Sequence, residues 1–123
     1  MGPLKGVRVV DMSQVISGPL AASWLADQGA DVIKVEDAKG DPSRWIGPRK
    51  DDMSALYFAV NRGKQGLVAD LKSKDDCAKV WAEIETADVL VQNFRPGVAE
   101  RLGFGYEAVA APNPRLFYCS ISG

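Results

Sequence analysis

The sequence predicts an α/β domain built on a parallel sheet. A β-branched run at residues 6–11, apolar residues at helical spacing over 20–29, and a second β-branched run at 31–36 follow one another closely. Strand, helix and strand within about thirty residues indicate a right-handed βαβ unit, and such units form parallel sheets. A third apolar run at residues 89–91 is typical of a strand buried in a parallel sheet.

The first helix is predicted from its ends and from its apolar residues. Pro19 fits the first turn, and Gly29 stands where a residue in the C′ position ends a helix. The apolar face is expected to consist of Leu20, Ala21, Trp24 and Leu25. Residues 6–11 and 31–36 then become neighbouring parallel strands.

Residues 37–54 are rich in glycine, proline and mixed charges and are predicted to form a long irregular loop. Trp45 and Ile46 are its main apolar anchors, so the loop is expected to be more mobile than the strands. Residues 55–60 fit a short helix or an extended segment equally well, and residues 61–64 form a tight basic turn.

The second half repeats the alternation of strand and helix. Residues 66–71 read as a third strand, and Ser73 then caps a helix whose apolar face contains Cys77, Val80, Trp81 and Ile84. After the strand at 89–91, Pro96 suits a first helical position and Gly103 ends that helix. Residues 106–110 make a turn of helix, 112–115 a turn, and 116–121 a last strand. No crossover helix follows that strand to cover it, which is typical of an incomplete domain.

Composition excludes several classes of protein. The 123 residues suffice for one domain; 46% hydrophobic content, 25% charged content and a net charge of −1 argue against a disordered chain and against a nucleic-acid partner. No apolar run approaches the ~20 residues that cross a bilayer, and the N-terminus lacks a signal-peptide region. A cytoplasmic location without a membrane partner is therefore predicted.

The cysteine and histidine content limits the chemistry. Cys77 and Cys119 lie far apart with no CxxC motif and no histidine, so no metal site is expected and both thiols are predicted to be reduced and partly buried. Without histidine the chain alone cannot form a Ser-His-Asp or Cys-His site. Its chemistry must use carboxylate, lysine, tyrosine or the residues of a partner.

A polar segment follows the run at 89–91. Asn93, Phe94 and Arg95 come at the carboxyl end of a strand, where open α/β sheets bind ligands, and Arg101 is expected in the second turn of the next helix. Guanidinium groups bind phosphate through a planar fork and Phe offers a face for stacking, so a ligand with phosphates and a ring fits. A strand followed by a solvated basic turn fits these residues equally well.

Short motifs are distributed along the whole chain, at residues 4–11, 17–19, 25–36, 40–41, 61–64, 70–72, 87–97, 101–103 and 113–115. Together, and in this order, they resemble the N-terminal part of the family III CoA-transferases. This family includes formyl-CoA transferase, the carnitine and bile-acid CoA-transferases and the α-methylacyl-CoA racemases.

The resemblance implies a Rossmann-like large domain of which residues 1–123 are the N-terminal part, with the small domain and the remainder absent. It also implies an interlocked homodimer. No tightly bound cofactor is implied: coenzyme A or acyl-CoA is the substrate, and a small carboxylic acid is its partner. The residues that match the family's CoA site are Val15, Ile16, Ser17, Ala69, Lys72, Asn93, Phe94, Arg101 and Leu102.

Two positions depart from formyl-CoA transferase, which has Gln and Arg where this chain has Ile16 and Asp37. An acid at residue 37 removes one phosphate contact. Lys72 and Arg101 remain chemically suited to the nucleotide phosphates.

The resemblance further implies a nucleophilic aspartate that forms acyl-anhydride intermediates and then a thioester with CoA. That aspartate is expected beyond Gly123, so no catalytic residue is assigned in this chain. The acidic residues present are interpreted as strand-end hydrogen-bonding groups, caps or solvated turns; they include Asp11, Glu36, Asp41 and Asp70.

Three alternatives stay open. An α-methylacyl-CoA racemase-like enzyme would use a later His and Asp, but its loop is typically shorter than the segment 41–61, which favours a transferase. A nucleotide-dependent dehydrogenase would use Glu36 on a ribose, but the turn at 11–19 lacks G-x-G-x-x-G. The chain alone is also compatible with a non-catalytic CoA-binding or subunit-interaction module.

Overall fold

Five strands form the main sheet of the computed structural model, which describes residues 2–122. A separate two-stranded hairpin follows the second of them. The strands are β1 (Arg8–Asp11), β2 (Asp31–Glu36), β3 (Arg49–Lys50), β4 (Met53–Ser54), β5 (Gln65–Val68), β6 (Val89–Gln92) and β7 (Phe117–Ser120). The helices are α1 (Ser17–Asp27), α2 (Ala55–Asn61), α3 (Lys74–Ile84), α4 (Val98–Arg101) and α5 (Tyr106–Ala110).

The main sheet has the strand order β5-β2-β1-β6-β7, and every neighbouring pair is parallel. In the central strand, Val10 lies opposite Ile33 of β2 and Leu90 of β6. The prediction of an α/β fold with a parallel sheet and flanking helices is confirmed. Since β1 has β2 on one side and β6 on the other, the chain reverses its direction of winding at β1.

The core lies on both faces of the sheet, because successive residues of a strand point to opposite sides. Val9 of β1 packs in a cluster with Ala22 of α1. Val10 packs in a second cluster, which includes Ile84 of α3 and Val109 of α5. Helices therefore cover each face of the central strand.

Helix α1 differs from its prediction in the face that it buries. It ends at Asp27 with Gly29 at φ +99°, as predicted. Its buried residues are Gly18, Pro19, Ala22 and Ser23. The predicted face is wrong at Trp24, which is 57% exposed. Small side chains let α1 approach the sheet closely, and Trp24 lies on the other side of the helix.

Residues 37–54 contain more regular structure than predicted. Residues Pro42–Trp45 form a 3-10 turn, and β3 and β4 pair as an antiparallel hairpin. Trp45 is 60% exposed and Ile46 45%, so they are not the anchors of this segment. Its anchor is instead polar, since the buried Asp41 carboxylate caps the 3-10 turn. The open alternative for residues 55–60 is resolved as a helix.

Helix α3 follows its prediction: Ser73 caps it and it buries Val80 and Ile84. The helix after β6 begins at Val98, not at Pro96, because Gly97 between them has φ +85°, outside the helical range. Arg101 is therefore the last residue of a one-turn helix and not part of a second turn.

Strand β7 forms one edge of the sheet, and most of its residues are exposed, Phe117 at 74%. The expectation of partly buried thiols holds for Cys77 but is wrong for Cys119, which is exposed on this edge strand. Across residues 2–122, no helix has the length and apolar character needed to span a membrane.

Candidate functional site

The site predicted from sequence lies at the carboxyl edge of the parallel sheet. Strands β1, β2, β5 and β6 all end at this edge, at Asp11, Glu36, Val68 and Gln92. The residues expected to bind CoA fall in the segments that follow β1, β5 and β6. Parallel pairing therefore brings together segments that are up to about eighty residues apart in sequence.

Asn93 joins the loops after β1 and β6. Its Oδ1 accepts a hydrogen bond from the Gln14 backbone N–H at 2.8 Å, and its Nδ2 donates to the Gln14 carbonyl at 2.8 Å. Nδ2 also lies 3.4 Å from the Ser17 hydroxyl. The Asn93 amide therefore fixes the first loop at the point where the winding of the sheet reverses.

Two adjoining clefts open at this edge. The switch-point cleft lies between the loops after β1 and β6, has a volume of about 650 Å³, and is lined by Gln14, Val15, Ile16, Ser17, Asn93, Phe94, Arg95 and Val98. The β5-side cleft includes the loop after β5, has a volume of about 160 Å³, and is lined by Met12, Gln14, Val35, Glu36, Asp37, Ala69, Asp70, Leu71, Lys72, Phe94 and Leu102. The clefts share Gln14 and Phe94, so they are direct neighbours.

Eight of the nine residues predicted from the family resemblance line these clefts, and Arg101 is not among the lining residues. Its side chain lies near Gly97: a Cβ added at Gly97 would stand 3.2 Å from Arg101 Nη1. Lys72 and Phe94 do come together on the β5-side cleft. Arg95 also lines the switch-point cleft, although the family resemblance did not mark it.

Two buried ion pairs lie beneath the loop after β1. Lys34 Nζ is 2.6 Å from Asp41 Oδ2 and donates to the Ser13 carbonyl at 2.7 Å. Lys64 Nζ is 2.7 Å from Asp11 Oδ2. All four side chains are at most 2% exposed, so each charge depends on its partner rather than on water.

Lys64 connects three elements of the fold. Besides Asp11, its ammonium group donates to the carbonyl of Pro19 at 2.8 Å, to that of Val60 at 3.1 Å and to Asn61 Oδ1 at 2.9 Å. Burial lowers the pKa of Lys64, and the charge of Asp11 offsets part of that effect. Four acceptors around one ammonium group join the end of β1, the start of α1 and the end of α2.

Asp41 organises the loop that contains Val15. Its Oδ1 accepts hydrogen bonds from the backbone N–H groups of Val15 at 3.0 Å and Ser43 at 2.9 Å. Burial alone would raise the pKa of Asp41, but the hydrogen bond from Lys34, the backbone bonds and the Lys34 charge outweigh it and lower that pKa. Val15 has φ +69°, a left-handed conformation that β-branched residues rarely adopt.

Glu36, the residue that a dehydrogenase would place on a ribose, is already engaged within the protein. Its carboxylate accepts from Arg44 at 2.8 and 2.9 Å, from the Tyr57 hydroxyl at 2.5 Å and from the Asp41 N–H at 2.7 Å. Burial would raise the pKa of Glu36, but these hydrogen bonds lower it below its ordinary value. The carboxylate is therefore a structural anchor, which argues against the dehydrogenase alternative.

The acidic residues named in the sequence have structural roles. Asp11 accepts from the Ser13 N–H at 2.9 Å and also from its hydroxyl, and Asp70 accepts from the Lys72 N–H at 2.9 Å. Sequence reasoning missed Lys34 and Lys64 as the partners of Asp41 and Asp11. One signal was available for Lys34, because it shares a face of β2 with buried Val32.

Comparison with known proteins shows which family this chain is similar to. The sequence model of a family described as CoA-transferase family III matches residues 4–123. A succinate–glutarate CoA-transferase from Agrobacterium fabrum is 45% identical over 98% of this chain and 32% of its own length. An acetyl-CoA:oxalate CoA-transferase from Acetobacter aceti is 46% identical over 99% of this chain and 32% of its own.

A solved structure has the same fold. The crystal structure of a CAIB/BAIF family protein from Brucella suis superposes with a TM-score of 0.94 at 38% identity, over 99% of this chain and 34% of that protein. The chain thus spans about a third of the length of the curated relatives that it matches.

Proposed function

The chain belongs to CoA-transferase family III, and we propose that it forms the CoA-binding part of an enzyme that moves CoA between an acyl-CoA and a small carboxylic acid. The single observation that carries this proposal is the arrangement of the clefts. Eight residues that match the family's CoA site, from three separate segments, line two neighbouring clefts where the winding of the sheet reverses. Open α/β sheets bind ligands at such points.

The shape and chemistry of the surface suggest how CoA lies on it. At about 160 Å³ the β5-side cleft is smaller than the roughly 300–1,000 Å³ of pockets that enclose whole ligands, so it suits one ring system. Its apolar walls include Ala69, Phe94 and Leu102, and Lys72 stands at its side for a phosphate. We infer that the adenosine end lies there and that the rest of CoA continues into the switch-point cleft.

The switch-point cleft suits the diphosphate and pantetheine part. Arg95 is the charged residue of its lining, and Ser17 begins α1, a helix of 11 residues. Backbone N–H groups at a helix N-terminus favour anions. The β5-side cleft contains Asp37 and Asp70 as well as Lys72, and it is therefore less suited to a doubly charged diphosphate.

The covalent step is proposed to use an aspartate from a part of the enzyme beyond these residues. That carboxylate attacks the acyl-CoA carbonyl and releases CoA thiolate, leaving a mixed anhydride. The thiolate then attacks the aspartyl carbonyl, releases the donor acid and forms an enzyme thioester, and the acceptor acid reverses both steps. Asp11 and Asp41 are unsuited to this role because they are buried and held by lysines.

The curated relatives carry succinate, glutarate and oxalate in their names. We therefore propose a small dicarboxylic acid as the acceptor for the enzyme that contains this chain. Three further points stay predictions: residues 1–123 form the N-terminal part of a large domain, the enzyme is an interlocked homodimer, and its location is cytoplasmic.

Calorimetric titration with CoA tests the binding site. In the full-length protein, Lys72→Ala is expected to weaken CoA binding by about 1–3 kcal/mol, the range for a hydrogen bond to a charged group. Lys79→Ala is the matched control, because Lys79 lies on α3 away from the clefts and pairs with Asp76. Equal affinities for the two variants would refute the assignment.

A turnover assay separates the transferase from its alternatives. We expect the full-length protein, given succinyl-CoA and a panel of acids, to produce new acyl-CoA detectable by mass spectrometry, and the 123-residue chain to produce none. CoA binding without turnover in both would support the binding-module alternative. Exchange of the α-proton of a 2-methylacyl-CoA without CoA transfer would instead support a racemase.

A further inference from the structure

The buried Asp41 carboxylate lies beneath the switch-point cleft but does not line it. The Val15 N–H of the first loop donates to its Oδ1 at 3.0 Å and lies 3.3 Å from Oδ2. Lys34 Nζ lies 2.6 Å from Oδ2 and also donates to the Ser13 carbonyl of the first loop at 2.7 Å. Asp41 is thus held by Lys34 of β2 and, through Ser43, by the 3-10 turn, and it passes this anchoring to Val15.

Val15 needs such a contact because its backbone is strained. Its φ of +69° lies in the left-handed region, which is costly for a branched side chain with no glycine-like freedom. An isolated loop would relax to negative φ. The loop retains the strained conformation because Asp41 holds Val15 from below and Asn93 holds Gln14 from the side.

From this geometry we propose that Asp41 is a positioning residue for the CoA site: its carboxylate holds Val15 in the left-handed conformation that shapes the cleft wall formed by residues 14–17. The inference rests on the proposed function, since the consequence is read as CoA affinity. Asp41 acts through the loop and touches no reacting atom.

Two double variants distinguish the effect of losing the acceptor for Val15 from the effect of losing the charges of the ion pair. Lys34→Met/Asp41→Asn removes both charges but keeps an oxygen that accepts from Val15, whereas Lys34→Met/Asp41→Leu removes both the charges and the acceptor. Removing both charges of a buried pair is often neutral for stability, but the Leu variant also leaves the Ser43 N–H and hydroxyl without their acceptor, so it is expected to be the less stable of the two. In the full-length protein the Leu variant should bind CoA about tenfold more weakly than the Asn variant, the cost of one strained residue.

Val15→Gly supplies a further test, because a purely structural role of Asp41 would give the same result with Val15 present and in the Val15→Gly background. Glycine reaches positive φ without steric cost. In the Val15→Gly background, the difference in CoA affinity between the Leu and Asn variants should therefore fall from about tenfold to about threefold or less. The same loss in both backgrounds would overturn the inference. The KM for acyl-CoA should follow these affinities while kcat stays nearly constant, because the loop affects binding rather than the covalent step.

A variant with the ion pair intact covers the case in which the double variants fail to fold. Val15→Pro removes the N–H and fixes φ near −65°, whereas Val15→Ala shortens the side chain but keeps the N–H. Calorimetry should find CoA binding about tenfold weaker for the Pro variant than for the Ala variant, and equal affinities would overturn the inference. No CoA binding by the unmodified full-length protein would overturn the proposed function itself, which distinguishes the two failures.

Discussion

Replacing Lys64 by Met is expected to lower the free energy of unfolding by about 3–5 kcal/mol, the cost of leaving one member of a buried ion pair without its partner. Asp11 would keep its bonds from Ser13, but its Oδ2 would face no cation. The Pro19 carbonyl would also lose its donor from Lys64. Since small domains unfold at about 5–15 kcal/mol, this loss is a large part of the total.

Urea unfolding of the 123-residue chain at pH 7, followed by circular dichroism, measures the effect. Lys79→Met is the matched control: its pair with Asp76 is 3.3 Å long and its own side chain is 60% exposed, so a loss of about 0–1 kcal/mol is expected. Adding Asp11→Asn to Lys64→Met should recover part of the loss, because the buried charge is then absent. A difference below about 1 kcal/mol between the Lys64 and Lys79 variants would refute the reasoning.

Three further predictions follow from the same contacts. The pKa values of Asp41 and Glu36 lie below their ordinary values of 3.8 and 4.5. The stability that these groups contribute is therefore present above those values and is lost as pH falls below them. In urea titrations, Lys34→Met/Asp41→Asn should lose less free energy of unfolding than the unmodified protein on going from pH 7 to pH 3. In amide exchange, the Val15 and Ser43 N–H groups should exchange slowly because they donate to Asp41, while those of residues 51–52 should exchange fast. Uniform exchange rates over residues 37–54 would contradict the anchoring by Asp41. In CoA titrations, Arg101→Ala should weaken binding less than Lys72→Ala, since Lys72 lines a cleft and Arg101 lies against Gly97; the reverse order would contradict the site geometry.

The sequence was sufficient for the sheet because local patterns determine its strands. The run at residues 31–36 became β2 with the predicted bounds, and Gly29 ended α1 as expected. Helix α4 was misplaced by two residues because nothing local reveals that Gly97 adopts positive φ. The Gly-Asp-Pro of residues 40–42 resembles a solvated turn, and the burial of its Asp41 became visible only with the fold.

The candidate site was predictable in part because the ends of the strands could be predicted. Strand ends mark the edge where loops gather, so Asn93 and Phe94 could be placed on it from the sequence alone. The left-handed Val15 could not, because its conformation depends on a carboxylate 26 residues away. The contact of Lys64 with Asp11 spans 53 residues, and no local periodicity encodes it.

The distribution of charge at the carboxyl edge bears on the proposed binding of CoA, a polyanion, by a nearly neutral chain. Lys34 and Lys64 lie close to the clefts, but each is buried against a carboxylate and contributes little net field. Arg44 is likewise engaged by Glu36. Attraction for phosphate must therefore come from exposed cations at the cleft walls, and Lys72 and Arg95 meet that condition. Because exposed charges are screened by salt and the buried pairs much less so, CoA affinity should depend on ionic strength while the shape of the first loop should not.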